Sequence, residues 1–276
     1  MEEIREVDTL KEPKIRFSHV TKIFETRSQT ITAVKDYSMD IQEGEFVAIL
    51  GPSGCGKSTL IRMLDGIIDT TEGDIFIDGE KVNFPGKKMP QSILRKMGFI
   101  FQQPNMLPWF TVRENVALPL SVFNLHGPQW EHAVDDLLEM VGLTEYADAY
   151  PNEISGGMLQ RAGVIRAMVH DPEILLMDEP FGALDELTRE QMNMELLDIW
   201  TRTGKTIIFI THNIEEAVLL ADKVFVMGTH PGRLTEVVDL ELERPRQLSM
   251  ITQPKFIEYR RYLENSIGEL DLSKIK

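Results

Sequence analysis

The stretch Gly51, Pro52, Ser53, Gly54, Cys55, Gly56, Lys57, Ser58, followed by Thr59, constrains this chain more than any other feature. It fits the pattern G-x-x-x-x-G-K-[ST]. It follows the apolar run EFVAIL (45–50) and opens the helical run STLIRML. A phosphate-binding loop needs that strand-to-helix context. The glycines let the backbone turn its N–H groups onto phosphate oxygens, and the helix N-terminus adds positive potential. Lys57 is placed to reach the β- and γ-phosphates of a nucleotide, and the Ser58 hydroxyl to ligate Mg²⁺.

The rest of the chain alternates strands and helices. Short β-like runs come first: KIRFSHV (14–20), EFVAIL, and GDIFIDGEKV (73–82), whose Asp78-Gly79 pair signals a hairpin. From about 91 to 170 the pattern is helical, as in WEHAVDDLLEMVGL (130–143), with Val134, Leu137, Leu138 and Val141 at helical spacing. Two compact apolar strands follow, EILLMD (173–178) and TIIFITH (206–212). One helical pattern lies between them and another over 213–221. KVFVM and RLTEVVDLEL, joined by GTHPG, read as a final hairpin. This order predicts an α/β P-loop core with a mainly parallel sheet, an N-terminal antiparallel β subdomain and an inserted helical subdomain at about 91–170. Residues 1–12 read as a flexible tail and 13–245 as one ATPase domain. Residues 246–276 read as a short helical extension, with Phe256, Leu263, Ile267 and Leu270 on one face.

Three further stretches carry chemistry. EILLMDEP places Asp178 at the C-terminal end of a buried strand, where α/β sheets bind ligands. There it would hold Mg²⁺ through water, and Glu179 would orient or activate an attacking water. Alone, the pair also fits a capped loop start. His212 ends the next strand and is placed to touch a γ-phosphate, although a lone histidine is more often an ordinary surface or core residue. EISGGMLQRA (153–162) opens a helix with Ser155, Gly156 and Gly157, a second nest of N–H donors suited to an anion. One chain does not need to hold a nucleotide at both glycine-rich loops.

Composition narrows the partners. A formal net charge of -15 repels polyanions over most of the surface and argues against nucleic acid as the main ligand. No apolar run approaches the ~18–20 residues of a membrane span, so a membrane role would need another chain. The N-terminus, MEEIREVDTLKE, has no apolar core and is not a secretory signal. The single cysteine, Cys55, allows no intrachain disulfide and no thiolate metal cluster. Both features fit a reducing cytosol.

Taken together and in this order, the motifs resemble the ATPase subunit of ABC transporters over roughly residues 14–245. The resemblance implies ATP and Mg²⁺ as cofactors and assigns roles residue by residue. Gly51 to Ser58 match the Walker A loop. Gln102, in FIFQQ, matches the Q-loop glutamine, a Mg²⁺ ligand and link to the membrane partner. Ser155 to Gly157 match the signature loop, which binds the γ-phosphate of ATP held by the other subunit of a head-to-tail dimer. Asp178 and Glu179 match the Walker B aspartate and catalytic glutamate, Asp185 the D-loop, and His212 the switch histidine. Phe24 stands where the family stacks an aromatic on adenine, although a phenylalanine at a strand end is usually core.

LPWFTVRENVALPL (107–120), SGGMLQRAGVIRAM (155–168), DEPFGALDELTR (178–189) and PGR (231–233) are similar to the nitrate, sulfonate and taurine importer ATPases. Other small-molecule importers share this wording. The implied partners are a second copy of the chain, transmembrane permease subunits and, indirectly, an extracellular solute-binding protein. The implied location is the cytoplasmic face of the plasma membrane. Ile154, Met158 and Asn213 depart from the commonest family residues without removing a catalytic group. PNMLPWF (104–110) has two readings: it fills the junction between core and helical subdomain, or it forms a groove for a short helix of the membrane subunit.

Two other functions remain open at this point. One is a soluble ABC-type assembly factor or clamp without a membrane partner. A long coiled coil or a tandem ATPase unit would mark some of that class, and neither is present. The other is a non-hydrolysing regulatory module, against which the presence of both Glu179 and His212 argues.

Overall fold

A computed structural model describes residues 12–26 and 29–272; the tail expected over 1–12 lies, apart from Glu12, outside the described residues. Strands β1 (Ile15–Glu25), β2 (Thr30–Ile41) and β3 (Phe46–Leu50) lead into helix α1 (Lys57–Leu64). There follow β4 (Glu72–Ile77), β5 (Glu80–Lys81), a short α2 (Gln91–Leu94) and β6 (Met97–Ile100). Helices α3 (Val112–Val122), α4 (Pro128–Met140) and α5 (Gly156–Met168) come next, then β7 (Ile174–Asp178), α6 (Glu186–Thr203) and β8 (Thr206–Thr211). The described residues end with α7 (Ile214–Leu220), β9 (Lys223–Gly228), β10 (Arg233–Asp239) and α8 (Pro254–Leu272).

Two sheets result. One is antiparallel, in the order β2-β1-β4-β5; the other has the order β10-β9-β3-β8-β7-β6, parallel except for β10. The strands β3 and β8 are buried at every position, which is why they read as unbroken apolar runs. Their side chains still alternate between two cores. Phe46, Ala48 and Leu50 face the one built with α3 to α8, whereas Val47 and Ile49 face the one built with α1 and the antiparallel sheet. Asp78 (φ 51°) and Gly79 (φ 71°) both take positive φ between Ile77 and Glu80, the type I′ hairpin that their sequence signals.

Helix starts are set by side chains. Thr111 caps α3 in a reciprocal box with Glu114, Ser155 caps α5, Asp185 caps α6 and Asn213 caps α7. The C-terminal helix α8 buries Phe256 and Leu263 completely, and Ile267 and Leu270 pack at the margin of the same core. Burial of such a side chain contributes roughly 2–3 kcal/mol, so α8 is docked as part of this core. Among the described residues no helix is long and apolar enough to cross a membrane.

Two differences from the sequence expectation stand out. The segment 91–170, expected to be helical, contains strand β6, which pairs in parallel with β7 at the edge of the main sheet. Its four residues are too few to show alternation. Gly98 is needed there because a Cβ would lie 2.1 Å from the Ala167 carbonyl oxygen. The long β2 was not expected either. Its buried positions run Val34, Tyr37, Met39, Ile41, and the irregular step at Asp36 (φ 49°) breaks the two-residue period that marks a strand.

Candidate active site

Sheet register assembles the site. Leu50 pairs with Thr211, and Asp178 pairs with Ile210, so β3, β7 and β8 end side by side. The residues that follow them, Gly51, Glu179 and His212, therefore emerge at one edge of the sheet. Glu179 is not a glycine yet has φ 47°, a sparsely populated conformation for such a residue, and its amide donates to the Ile210 carbonyl at 3.0 Å. That turn sends Asp178 and Glu179 in different directions.

Lys57 is buried, and its ammonium donates to the Gly51 carbonyl at 2.7 Å and the Pro52 carbonyl at 3.1 Å. It lies 3.8 Å from Glu179 Oε1. The other Glu179 oxygen, Oε2, is 3.2 Å from His212 Nδ1. The Ser58 hydroxyl donates to Asp178 Oδ1 at 2.8 Å. Burial pushes the Asp178 carboxyl above the usual range, and the Ser58 hydroxyl pulls it back in part. A hydroxyl and a carboxylate so placed are hard oxygen donors of the kind Mg²⁺ takes, since that ion binds few protein ligands and keeps places for water and phosphate. The pair fits such an ion. Gln102 is exposed just beyond β6, and its amide nitrogen would lie 3.3 Å from a Cβ built on Gly182, with Glu179 Oε2 at 3.7 Å from the same point. Gln102 thus sits beside the Glu179 turn.

A cleft of 230 Å³ opens above the loop, lined by Ala33, Ser53, Gly54, Gly56, Lys57, Ser58, Thr59 and Glu179. Ala33 comes from β2, whose register pairs Ile31 with Phe24 and Thr32 with Ile23. Phe24 is therefore on the same arm as Ala33. Its ring is partly exposed under the Lys22 ammonium, 5.0 Å from the ring centre, rather than in the core. Cys55 is buried beneath the loop and does not line the cleft.

The structure does not bring every predicted residue to this cleft. Ser155, Gly156 and Gly157 do not line it. Ser155 accepts from the Met158 amide at 3.3 Å, and a Cβ on Gly156 would meet nothing within 4 Å. Ser155 and Gly156 are exposed, while Gly157 is half-buried, and a Cβ there would lie 3.1 Å from the Thr188 methyl. Asp185 is also exposed; the Thr188 hydroxyl and amide hold its carboxyl below the usual range. The PNMLPWF segment fills the junction only in part. Met106 packs against the core, while Trp109 is 66 % exposed beside Phe110. Asn115, fully buried, fastens this loop through the carbonyls of Leu107, Phe110 and Thr111 and the Leu107 amide.

Sequence reasoning gave no structural role to several residues that shape the site, Gly232 of the PGR stretch among them. Gly232 pairs with Ala33 and Lys35 through backbone hydrogen bonds of 3.0 and 2.8 Å, and a Cβ there would lie 2.0 Å from the Cys55 carbonyl oxygen. Asn213, noted only as a departure, accepts from the Glu215 and Glu216 amides at 2.8 and 3.2 Å and so starts the helix that follows His212. Glu216 is buried, and burial raises its carboxyl; it accepts from the Thr211 hydroxyl. The T-H-N-x-E-E run contained the capping signal for Asn213, but the Gly232 contact has no local signature.

Comparison with known proteins follows the same lines. The family described as "ABC transporter" matches residues 34–182. An uncharacterized ABC transporter ATP-binding protein of Methanocaldococcus jannaschii is 39% identical over 275 residues, 100% of this chain and 98% of that protein. The aliphatic sulfonates import ATP-binding protein SsuB of Bacillus cereus is 40% identical over 232 residues, 84% of this chain and 88% of that one. Among solved structures, an ATP-binding cassette dimer in a post-hydrolysis state, bound to ADP and Pi, aligns with a TM-score of 0.72 at 33% identity. It covers 83% of this chain and 100% of that one. The cbiO1 protein of Clostridium perfringens, part of the ABC transporter complex cbiONQ, aligns with a TM-score of 0.74 at 25% identity, covering 94% and 99% of the two chains.

Proposed function

This chain belongs to the ABC transporter ATP-binding family and is an ABC ATPase near the sulfonate importer group; from that premise we propose that it powers uptake of a small, oxyanion-type solute of the nitrate, sulfonate or taurine kind through separate permease subunits. One observation carries the mechanism: the phosphate loop, Asp178, Glu179 and His212 share one sheet edge, whereas the Ser155–Gly157 nest lines no part of that cleft and exposes Ser155 and Gly156. Two copies arranged head to tail would bring the nest of each onto the nucleotide of the other. The related cassette solved as a dimer supports this arrangement.

Each residue's task follows from its position. Backbone N–H groups from Gly51 to Ser58 would cradle the ATP phosphates, and Lys57 would exchange its two loop carbonyls for phosphate oxygens. Ser58, Asp178 and Gln102 would hold Mg²⁺, which supplies neutralisation of the β- and γ-phosphate charge. Glu179 would accept a proton from, or orient, the attacking water, held in place by His212 on one oxygen and Lys57 on the other. Phe24 would stack on the adenine. Asp185 and Ser155 would contact the partner copy. The chain would work at the cytoplasmic face of the membrane, with an extracellular solute-binding protein delivering the cargo.

The test is a native pull-down of the tagged chain from gently solubilised membranes. The account expects a multi-span permease in stoichiometric amount, with genes or partners that narrow the solute. Soluble partners alone, with the ATPase active in the cytosol, would replace this reading with that of an assembly factor or clamp.

A further inference from the structure

Arg189 lies in the first turn of α6, four residues after Asp185, and has no role in the site as described. Its guanidinium spans two loops. Nη2 donates to the Leu184 carbonyl at 2.8 Å, inside the turn that leads from Glu179 to Asp185. Nε faces Glu216 Oε1 at 3.7 Å and has no hydrogen-bond partner, although the atom is buried. Glu216 in turn accepts from the hydroxyl of Thr211, the residue before His212. The same Thr211 oxygen accepts from the Asn213 amide at 2.9 Å, the residue after His212. Hydrogen bonds from Arg189 to Leu184 and from Thr211 to Glu216, joined by the 3.7 Å Arg189–Glu216 ion pair, thus link the D-loop to the two neighbours of the switch histidine.

The Arg189–Glu216 separation is longer than a hydrogen bond, yet Glu216 is buried. A buried carboxylate that is raised by desolvation and countered by one arginine is sensitive to where that arginine sits. Beside the pair is a cavity of only 50 Å³, shared by Arg189, Asn193 and Glu216, and Asn193 Oδ1 in its wall is a second buried atom without a partner. The pair thus has room to close by a few tenths of an ångström without repacking the core.

We infer that Arg189 is a positioning residue that couples the D-loop to His212: when Leu184 and Asp185 shift against a partner copy, Arg189 moves Glu216 and Thr211, and His212 is brought to or away from Glu179. This rests on the ATPase dimer proposed above. Arg189 does not line the cleft, and its polar partners are Leu184 and Glu216, so its effect falls on the chemical step and not on nucleotide binding.

The test compares the full-length chain with Arg189→Ala, Arg189→Lys, Glu216→Gln and the Ala/Gln double variant in steady-state MgATP hydrolysis, with melting curves for each. Arg189→Ala should lower kcat by about ten-fold, within the range of a coupling contact, and leave KM for ATP within about two-fold. Arg189→Lys should recover part of the loss, and the double variant should be no slower than the worse single. If Arg189→Ala does not fold, the near-isosteric Glu216→Gln carries the same expectation. An unchanged kcat in a folded variant, a rise in KM matching the fall in kcat, or single effects that multiply in the double would overturn the inference. Wild-type turnover abolished by Glu179→Gln serves as the reference. Where that dependence holds and Arg189→Ala is silent, this coupling alone fails; where it does not hold, the functional reading itself fails.

Discussion

Asn213 offers a graded perturbation of the switch loop. Its side-chain oxygen accepts two amides, from Glu215 at 2.8 Å and Glu216 at 3.2 Å, and the helix it starts has only seven residues. A helix this short has little internal cooperativity, so its N-cap is a large share of its own stability. Replacing an N-cap Asn by Ala costs about 1–2 kcal/mol. In a protein of 276 residues that lowers the melting temperature by roughly 2–3 °C. The same change loosens the backbone directly after His212, whose Nδ1 must stay near Glu179. Asn213→Ala should therefore lose turnover while KM for ATP stays near wild type, because Lys57 and Ser58 are untouched. Asn213→Asp keeps the acceptor and places a negative charge at a helix N-terminus, a favourable position, so it should melt within about 1 °C of wild type. Calorimetry and steady-state hydrolysis on the three proteins read both effects. An Ala variant that melts and turns over like wild type would refute the assignment of Asn213 as the residue that fixes this loop.

Two further outcomes follow from packing and burial. Gly232→Ala would set a Cβ 2.0 Å from the Cys55 carbonyl and 2.7 Å from that of Ala33, both backbone atoms. It should cost about 1–3 kcal/mol and raise KM for ATP by distorting the phosphate loop, measurable by denaturant titration and hydrolysis kinetics. Asp65 is pushed up to about 6 by burial. The folded state then holds this proton more tightly than the unfolded chain, so the penalty is absent below about pH 4 and grows as pH rises through about 6. Asp65→Asn should stabilise the protein by up to about 3 kcal/mol near pH 7.5 and by nothing near pH 3.5. Equal urea midpoints for the two proteins near pH 7.5 would contradict the burial argument.

Much of the placement of these residues was legible because the motifs are short and the phosphate-binding pattern they fit is a property of local backbone. The glycines and lysine of 51–58 act within one turn, and DE and TH each sit directly after an apolar strand whose C-terminal end must face the ligand. The register that levels Leu50 with Thr211 and Asp178 with Ile210 then completes the geometry. Strand β2 was hidden because Asp36 interrupts its alternation, and β6 because four residues carry no period. Contacts made across the sheet were not legible at all. Nothing near Gly232 reveals that it lies on Cys55, and nothing near Arg189 reveals Glu216, 27 positions later. Such residues gain their roles only when distant segments meet, and their local sequence reads as an ordinary turn or an ordinary helix face.

The central claim is that two copies close around ATP and that Glu179 drives its hydrolysis. Glu179→Gln keeps the size of the side chain and removes the charge that Lys57 and His212 face. The most direct measurement is light scattering of this variant with and without MgATP, beside its hydrolysis rate. The account predicts a stable dimer with ATP, monomer without it, and turnover reduced by roughly 10²-fold or more. A variant that remains monomeric in ATP, or that hydrolyses at the wild-type rate, would contradict it.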